Sequence, residues 1–560
     1  MKYIKFVLVI LISVILVSCS KNPVTVFYNG KIHTMDKNNS VVEAIAVKEG
    51  KIVESGTSDE MKSKYGKDKL VDLSGKTVIP GFIESEGSLV DFSLELARYN
   101  NMIDLKNVTD VSKIVAFVSE KVKNQKENAW VGGYGWDDEN ITEGMELITK
   151  STLDKISLKH NIYLINKDGS IVWCNSKAFE TMQITKQTPS PEGGEISKDE
   201  NGEPDGLLFG KAINLVKEKL PKFTKEDMQN ALQNGAQELL KYGITGVIDR
   251  NMSNESINAY KELIDSNKIP IHIYAVLTGS DPAFTEYLQK GIEQNYKNKL
   301  TVRAVTLDYD GALELQSAAM NENYKGEVKK KQPYTDEAAI EKTLREALDK
   351  NFQFTIKTVG DDAVTRVLKV IEKVVKEKNP KDARIRLEGI EFISPSDLLK
   401  IKELKIIPTI IPETNIFDSF YLDLVIAPEA RKNFAMWNAM ISNAGMLTAG
   451  SGFPFSQTIS PLTEIYYMTN RQPMDTIINV PNPEQKLSVS DAVKSYTVWA
   501  AYSTFQENTK GSLEKDKFAD MVVLSDDIFS LQGKALLNTK ILMTIVNGIV
   551  AYENKEINVK

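Results

Sequence analysis

Strand-like runs alternate with amphipathic helical patterns along the middle of this 560-residue chain, and this alternation limits its possible folds more than any other feature. Helical periodicity, as in residues 337–348, separates short and largely apolar runs. Alternation of this kind is typical of a parallel α/β barrel, which eight strands complete. We therefore predict an α/β fold, a (β/α)8 TIM-like barrel, with strands at residues 78–83, 244–248, 271–277, 302–309, 352–359, 385–392, 406–411 and 446–449.

The two ends of the chain show short strand patterns without the helical patterns of the middle. Residues 24–28 and 44–48 are short strand patterns near the turn signals Asn29-Gly30 and Glu49-Gly50, and similar patterns return at residues 519–524 and 541–548. We predict one small β-sandwich built from both termini, in segments 20–79 and 510–560. The barrel then occupies residues 80–509. Its interval at about 108–224 is too long for a loop and predicts an inserted subdomain.

The first residues resemble a secretion signal. Lys2 and Lys5 precede an apolar run, residues 6–17, that is too short to span a bilayer as a helix. The run ends in Leu16-Val17-Ser18-Cys19, which resembles a bacterial lipobox with Cys19 as the lipidated residue. We expect residues 1–19 to be a lipoprotein signal peptide, and the protein to be extracytoplasmic in the bacterial cell envelope, held on the membrane by a lipid anchor.

The net charge of the chain and the distribution of its basic residues argue against one class of partner, nucleic acid. The net charge is −7, and basic residues form no cluster or stripe. A nucleic-acid partner is therefore not expected.

The run Val-Ile-Pro-Gly-Phe-Ile-Glu-Ser-Glu-Gly-Ser-Leu, residues 78–89, carries a family resemblance. Further phrases follow it in order, among them Lys167-Asp168-Gly169, Asp310-Gly311, Gly450-Ser451 and Lys510-Gly511-Ser512. Together they resemble the amidohydrolase superfamily, particularly the branch called amidohydrolase family 3. The resemblance implies a barrel enzyme that hydrolyses C–N bonds with zinc or another divalent metal, and homo-oligomerisation as a possibility.

The metal ligands that the resemblance implies are replaced in this sequence. None of the chain's three histidines stands at one of those positions. We therefore predict that the usual metal cofactor is not bound. The six replaced positions are Glu86, Ser88, Thr306, Lys357, Gly389 and Gly452.

The replacing residues are largely polar. Alternation along the fourth strand places Thr306, Asp308 and Asp310 on one face, with Lys357 and Glu86 coming from neighbouring strands. We expect the Lys357 ammonium to occupy part of the volume of a metal, with the carboxylates as counter-charges. Three roles stay open: a structural ion-pair network, a ligand site, or catalysis by Lys357 and Asp310. Calcium or magnesium on Glu86, Asp308 and Asp310 is a further alternative, which Lys357 disfavours.

The two glycines leave space at the barrel mouth, which either neighbouring side chains fill or a larger ligand occupies. The predicted ligand pocket comprises Glu86, Ser88, Trp136, Asp137, Asp168, Thr306, Asp308, Lys357 and Ser451.

These observations favour a lipid-anchored, amidohydrolase-like pseudoenzyme that binds a small polar or amphipathic molecule. The alternatives are a hydrolase of amide bonds with a changed, metal-independent mechanism, and a cell-surface scaffold for other proteins.

Overall fold

Eight parallel strands form the central sheet of the computed structural model, which describes residues 23–137, 140–191, 193–325 and 333–555. They pair in chain order from β1 to β8, which confirms the predicted (β/α)8 architecture. Their bounds are β1 Phe82–Gly87, β2 Ile244–Met252, β3 His272–Thr278, β4 Leu300–Asp308, β5 Gln353–Lys357, β6 Arg386–Glu388, β7 Ile407–Ile410 and β8 Thr448–Ala449. An antiparallel strand, Glu293–Tyr296, pairs with β4.

Contacts between β8 and β1 nearly close the barrel. Just beyond β8, the Ser451 backbone N–H donates to the Glu84 carboxylate of β1 at 3.0 Å. The intervening Gly450 allows this approach, since a Cβ there would lie 2.4 Å from the Glu86 nitrogen. The last strand is thereby held against the first through a side chain.

The helices around the barrel follow the apolar periodicity of the sequence. In Glu337–Asp349, the buried Ile340, Leu344 and Ala347 form one stripe, and the Asp336 side chain caps the first turn by accepting from the Ala339 N–H. The helices of the barrel region are Leu89–Asn101, Lys225–Leu240, Asn254–Asp265, Pro282–Lys290, Glu337–Asp349, Asp361–Lys378, Pro395–Leu404, Pro412–Val425, Trp437–Ala444, Pro461–Asn470, Val489–Ser495 and Val498–Ser503.

Two sheets at the base of the barrel combine strands from both ends of the chain. Their facing apolar side chains, including Phe27, Ile45, Val523 and Leu542, share one core. The first sheet contains Lys51–Gly56, Ala44–Lys48, Thr25–Tyr28 and Lys69–Asp72. The second contains Ile549–Glu553, Ile541–Val546, Met521–Leu524, Thr77–Pro80, Lys31–His33 and Val41–Val42. The helix Ser58–Tyr65 belongs to the same region.

A third sheet lies between β1 and β2 in the sequence. Its strands are Gly194–Lys198, Pro204–Gly210, Ile171–Cys174, Asn161–Asn166, Trp130–Trp136 and Ile103–Asp104. The helices Val111–Val122, Lys150–Asp154, Ser176–Met182 and Asn214–Lys217 accompany it.

The predicted first strand, residues 78–83, is wrong in its bounds. Thr77–Pro80 pairs with Met521–Leu524 in the sandwich, and the barrel strand begins only at Phe82. The chain changes sheets at Pro80-Gly81, where Gly81 donates its N–H to the Asp520 carbonyl at 2.9 Å. The apolar run at residues 78–83 therefore contributes residues to two different sheets.

No helix among the described residues is long and apolar enough to cross a membrane. The predicted signal peptide and Cys19 lie outside those residues.

Candidate functional site

A cavity of about 200 Å³ opens at the carboxyl ends of the barrel strands, and we call it the mouth cavity. Five of the six replaced ligand positions line it: Glu86, Ser88, Lys357, Gly389 and Gly452. Thr306 is buried beside the cavity, and its Oγ1 accepts a hydrogen bond from Arg250, which lines the cavity. Further lining residues are Arg250, Asn251, Asp308, Glu391, Ile411, Asn415, Ser451, Phe453 and Phe455.

Arg250, which the sequence analysis did not identify, holds the acidic residues of the mouth cavity together. Its guanidinium contacts the Glu86 carboxylate and lies 3.0 Å from Asp308 Oδ1 and 3.5 Å from Glu388 Oε2. It also donates to Thr306 Oγ1 at 3.3 Å. Burial opposes the charged guanidinium, but the three carboxylates outweigh burial and raise the pKa of Arg250.

A second guanidinium, that of Arg386, lies deeper in the barrel. Its Nη2 is 3.0 Å from Glu388 Oε1 and 3.9 Å from Glu86 Oε2, and it donates to the Ser85 carbonyl at 2.7 Å. Burial and the neighbouring Glu388 raise the pKa of Glu86 to about 7, while Arg250, Arg386 and Lys357 oppose that shift. Two arginines and two glutamates thus form a buried ion-pair network.

Lys357 lies at the barrel mouth. It ends β5, between Asp308 and Glu388 in the sheet register, and lines the mouth cavity. Among the residues that the structure describes, no carboxylate oxygen lies within 4.0 Å of its Nζ. Lys357 therefore forms no close ion pair, but it acts from farther away on the carboxylates of Glu86 and Asp310 and lowers the pKa of each. Arg250 pairs with Glu86 and Asp308 instead. It can do so because β2 extends to Met252 and the Arg250 side chain is long enough to reach both carboxylates.

Side chains lie close to the two glycines. Gly389 has φ +68°, and a Cβ there would lie 3.4 Å from Lys357 Cγ and Cε. Gly452 has φ +77°, with Ile411 Cδ1 3.1 Å from a built Cβ. Both positions require the left-handed conformation that glycine adopts readily. The side chains of Lys357 and Ile411 border these glycines, and both glycines line the mouth cavity.

Glu391, also missed in the sequence, forms a carboxyl pair with Asp418 at one wall of the mouth cavity. Both side chains are buried, and the Asp418 carboxyl acts directly on Glu391. Burial, and then the Asp418 carboxylate, raise the pKa of Glu391 well above its usual value. Burial also raises the pKa of Asp418 to about 6. Burial and the neighbouring carboxyl therefore favour the protonated form of Glu391.

Asp310 does not line the mouth cavity. Its carboxylate accepts three backbone N–H groups, from Val359, Gly360 and Ala319, at 2.8, 2.9 and 2.8 Å. Burial raises its pKa to about 6, although these hydrogen bonds oppose the shift. Asp310 joins the loops after β4 and β5, and this geometry does not support the predicted catalytic role.

Besides Thr306, three predicted pocket residues lie outside the mouth cavity. Trp136 is buried in the core of the third sheet, and its Nε1 donates to the Leu164 carbonyl at 3.0 Å. Asp137 and Asp168 line a separate cleft of about 1,060 Å³ beside this sheet, where Asp137 pairs with Lys167 at 3.0 Å. Ser451 does line the mouth cavity, and its Oγ lies 3.2 Å from Glu84 Oε2.

The residues at the barrel mouth do not fit the divalent metal that the family resemblance implies. Zinc prefers nitrogen and sulfur ligands, whereas this mouth offers carboxylates that already bind the Arg250 guanidinium. In the described part of the chain, no group of three or more His, Cys, Asp or Glu is arranged to hold a metal ion.

Known proteins are similar to this chain over more than nine tenths of its length. LONG AFTER FAR-RED 3 of Arabidopsis thaliana is 28% identical over 542 residues, which cover 94% of this chain and 91% of that protein. The N-substituted formamide deformylase of Arthrobacter pascens is 24% identical over 557 residues, covering 94% and 97% respectively. An uncharacterized metal-dependent hydrolase from Pyrococcus horikoshii shares the fold, with TM-score 0.73 and 21% identity over 91% of this chain and 98% of that chain.

A sequence model described as the amidohydrolase family matches residues 69–552, which include the barrel, the end of the first sandwich segment and most of the second. On that match, and with the eight-stranded barrel, the chain belongs to the amidohydrolase family.

Proposed function

We propose that this amidohydrolase-family protein is a pseudoenzyme that binds a small polar or amphipathic molecule in the mouth cavity. The observation that carries this proposal is the Arg250 guanidinium, which contacts or approaches Glu86, Asp308 and Glu388. A metal ion in such a barrel activates water and polarises the scissile carbonyl. A guanidinium fixed by three carboxylates supplies a permanent charge there but activates no water. This arrangement supports the proposal of ligand binding without hydrolysis.

The lining of the mouth cavity supports a binding role. Charged groups, hydroxyls and aromatic rings converge on one concave site at the carboxyl ends of the strands, where barrel proteins bind their ligands. The buried ion pairs hold those groups in place, so the cavity is formed before any ligand enters.

A second candidate function is amide hydrolysis by a changed mechanism. Lys357 and Glu391, whose protonated form is favoured, both lie at the mouth cavity, and an ammonium with a neutral carboxylic acid can polarise a carbonyl and donate a proton. Here Glu391 replaces Asp310 as the acid, because Asp310 binds three backbone N–H groups.

We further propose that the protein is anchored in the bacterial cell envelope through a lipid on Cys19, outside the cytoplasm. The lipobox-like Leu16-Val17-Ser18-Cys19 supports this proposal. Fractionation of cells that produce the wild-type chain or Cys19→Ser tests it. The wild-type chain is expected with the membranes and the Cys19→Ser chain away from them; equal membrane association of the two chains contradicts the anchor.

Metal content and turnover test the main proposal on the full chain purified in detergent without chelators. We expect far less than one equivalent of zinc per chain, thermal stabilisation by small polar molecules, and no amide turnover. Stoichiometric zinc contradicts the proposal. Turnover that survives chelators and disappears in Lys357→Met and Glu391→Gln favours the second function. A co-purifying protein without any ligand response favours a scaffold.

A further inference from the structure

The mouth cavity and the cleft beside the third sheet share one wall. Phe455 and Ser456, in the loop after β8, line both. The mouth cavity, at about 200 Å³, is smaller than the roughly 300–1,000 Å³ of most small-molecule sites. The cleft, at about 1,060 Å³, is large enough for the remainder of a longer molecule. A ligand that fills the mouth cavity and has any further body must therefore pass Phe455.

The charges in the mouth cavity indicate what its end group is. Glu86 and Asp308 are paired with Arg250, and burial and Asp418 favour the protonated form of Glu391. Lys357 also lines this cavity, and among the described residues no carboxylate oxygen lies within 4.0 Å of its Nζ, although the carboxyl groups of Glu86 and Glu391 act on it from farther away. An ammonium without a close ion-pair partner in a concave site favours an anionic group, and a carboxylate matches its charge.

Aromatic side chains connect the two spaces. Phe453 lines the mouth cavity and packs on Phe92, which lines the cleft, with ring centroids 5.3 Å apart. Phe455 lies between the two spaces, with 85% of its surface exposed. An exposed phenylalanine on its own is unremarkable, but this one continues an apolar strip that starts inside a polar cavity.

We infer that the ligand is a carboxylate with an apolar aryl or alkyl body. Its carboxylate pairs with Lys357, and its body lies along Phe453, Phe455 and Phe92 into the cleft. This inference rests on the proposed binding function of the mouth cavity and adds the chemical class of the ligand.

Calorimetric titration of the full chain with acetate, phenylacetate, 4-phenylbutyrate and 4-phenylbutanamide tests the inference. We expect affinity to rise at least about tenfold from acetate to 4-phenylbutyrate, and to fall at least about tenfold when the neutral amide replaces the carboxylate. Lys357→Met is expected to abolish the preference for the carboxylate, whereas Lys357→Arg keeps it. Phe455→Ala is expected to remove the gain in affinity from the longer body.

Ile477→Ala is the matched control, because Ile477 is 94% exposed but lines neither space. It is expected to bind every probe as the wild type does. Equal affinity for acid and amide, or binding that both Lys357→Met and Phe455→Ala leave intact, overturns the inference. Failure of all four probes overturns it as well, while stabilisation by other polar molecules in the same preparation still upholds the proposed function.

Discussion

The Arg250 guanidinium contacts the Glu86 carboxylate at the barrel mouth, although the two residues lie 164 positions apart in the sequence. The Arg250 side chain is only 11% exposed, and Glu86 is buried. Removal of one partner from a buried ion pair leaves the other charge without compensation, which is far more costly than the loss of an exposed pair. The stability of the barrel mouth therefore depends on this contact.

Arg250→Met is expected to lower the free energy of unfolding by about 3–5 kcal/mol, as urea denaturation can measure. The substitution leaves Glu86, Asp308 and Glu388 facing one another, so calcium or magnesium is expected to restore part of the loss. Arg345→Met serves as a control, since Arg345 forms a more exposed helix-surface pair, with an expected cost of about 0–1 kcal/mol. A cost for Arg250→Met no larger than that of the control contradicts the assigned role of Arg250.

The sequence pattern was sufficient for the barrel but not for the chemistry of its mouth. Apart from the bounds of the first strand, the barrel strands were predictable, because strands buried on both faces form apolar runs that end at turn signals. Arg250 was missed because the apolar run of β2 ends at Ile248, while the strand continues to Met252. Its partners belong to other strands, and no local periodicity encodes how far a guanidinium reaches.

The position of Glu391 in the sequence indicates that it needs a partner. It is an acidic residue within the buried apolar run Ile390-Glu391-Phe392, and an isolated charge in such a run requires a partner or a proton. Its partner Asp418 is on the helix Pro412–Val425, which explains why only the structure identifies the pair.

The Glu391–Asp418 pair predicts a pH-dependent stability. Burial and Asp418 raise the folded-state pKa of Glu391, so the folded protein binds more protons than the unfolded chain, and stability falls as the pH rises above 4.5 toward that raised value. Lys357 and Asp310 also act on Glu391, the first lowering and the second raising its pKa. Glu391→Gln removes this titration, and its melting temperature relative to the wild type is expected to rise from about pH 5 to about pH 8. A difference that stays constant over this range contradicts the raised pKa of Glu391.

His272 predicts the opposite dependence at the base of the barrel. Its Nε2 lies 3.0 Å from Asp520 Oδ2, and burial, then Lys510, lower its pKa to about 4. The unfolded chain therefore takes up a proton below 6.5 that the folded protein does not, so this contribution to stability is lost as the pH falls from 6.5 to about 4. His272→Gln is expected to be destabilising at neutral pH but less sensitive to acid in that interval. Parallel melting curves for both chains across the interval contradict this assignment.

Gly81 lies where the chain passes from the sandwich into the barrel. A Cβ at residue 81 would lie 2.2 Å from Thr245 Oγ1 and 2.8 Å from Thr245 Cβ, so Gly81→Ala forces β1 away from β2. We expect a loss of about 1–3 kcal/mol in urea unfolding, which Thr245→Ala in the same chain partly restores by removing the clashing hydroxyl and methyl groups. Gly246→Ala is the matched control on the neighbouring strand, because its Cβ would come no closer than 3.7 Å to another atom and little change is expected. Equal losses for Gly81→Ala and Gly246→Ala, or no recovery in the double variant, contradict a steric requirement for glycine where the chain leaves one sheet and enters the other.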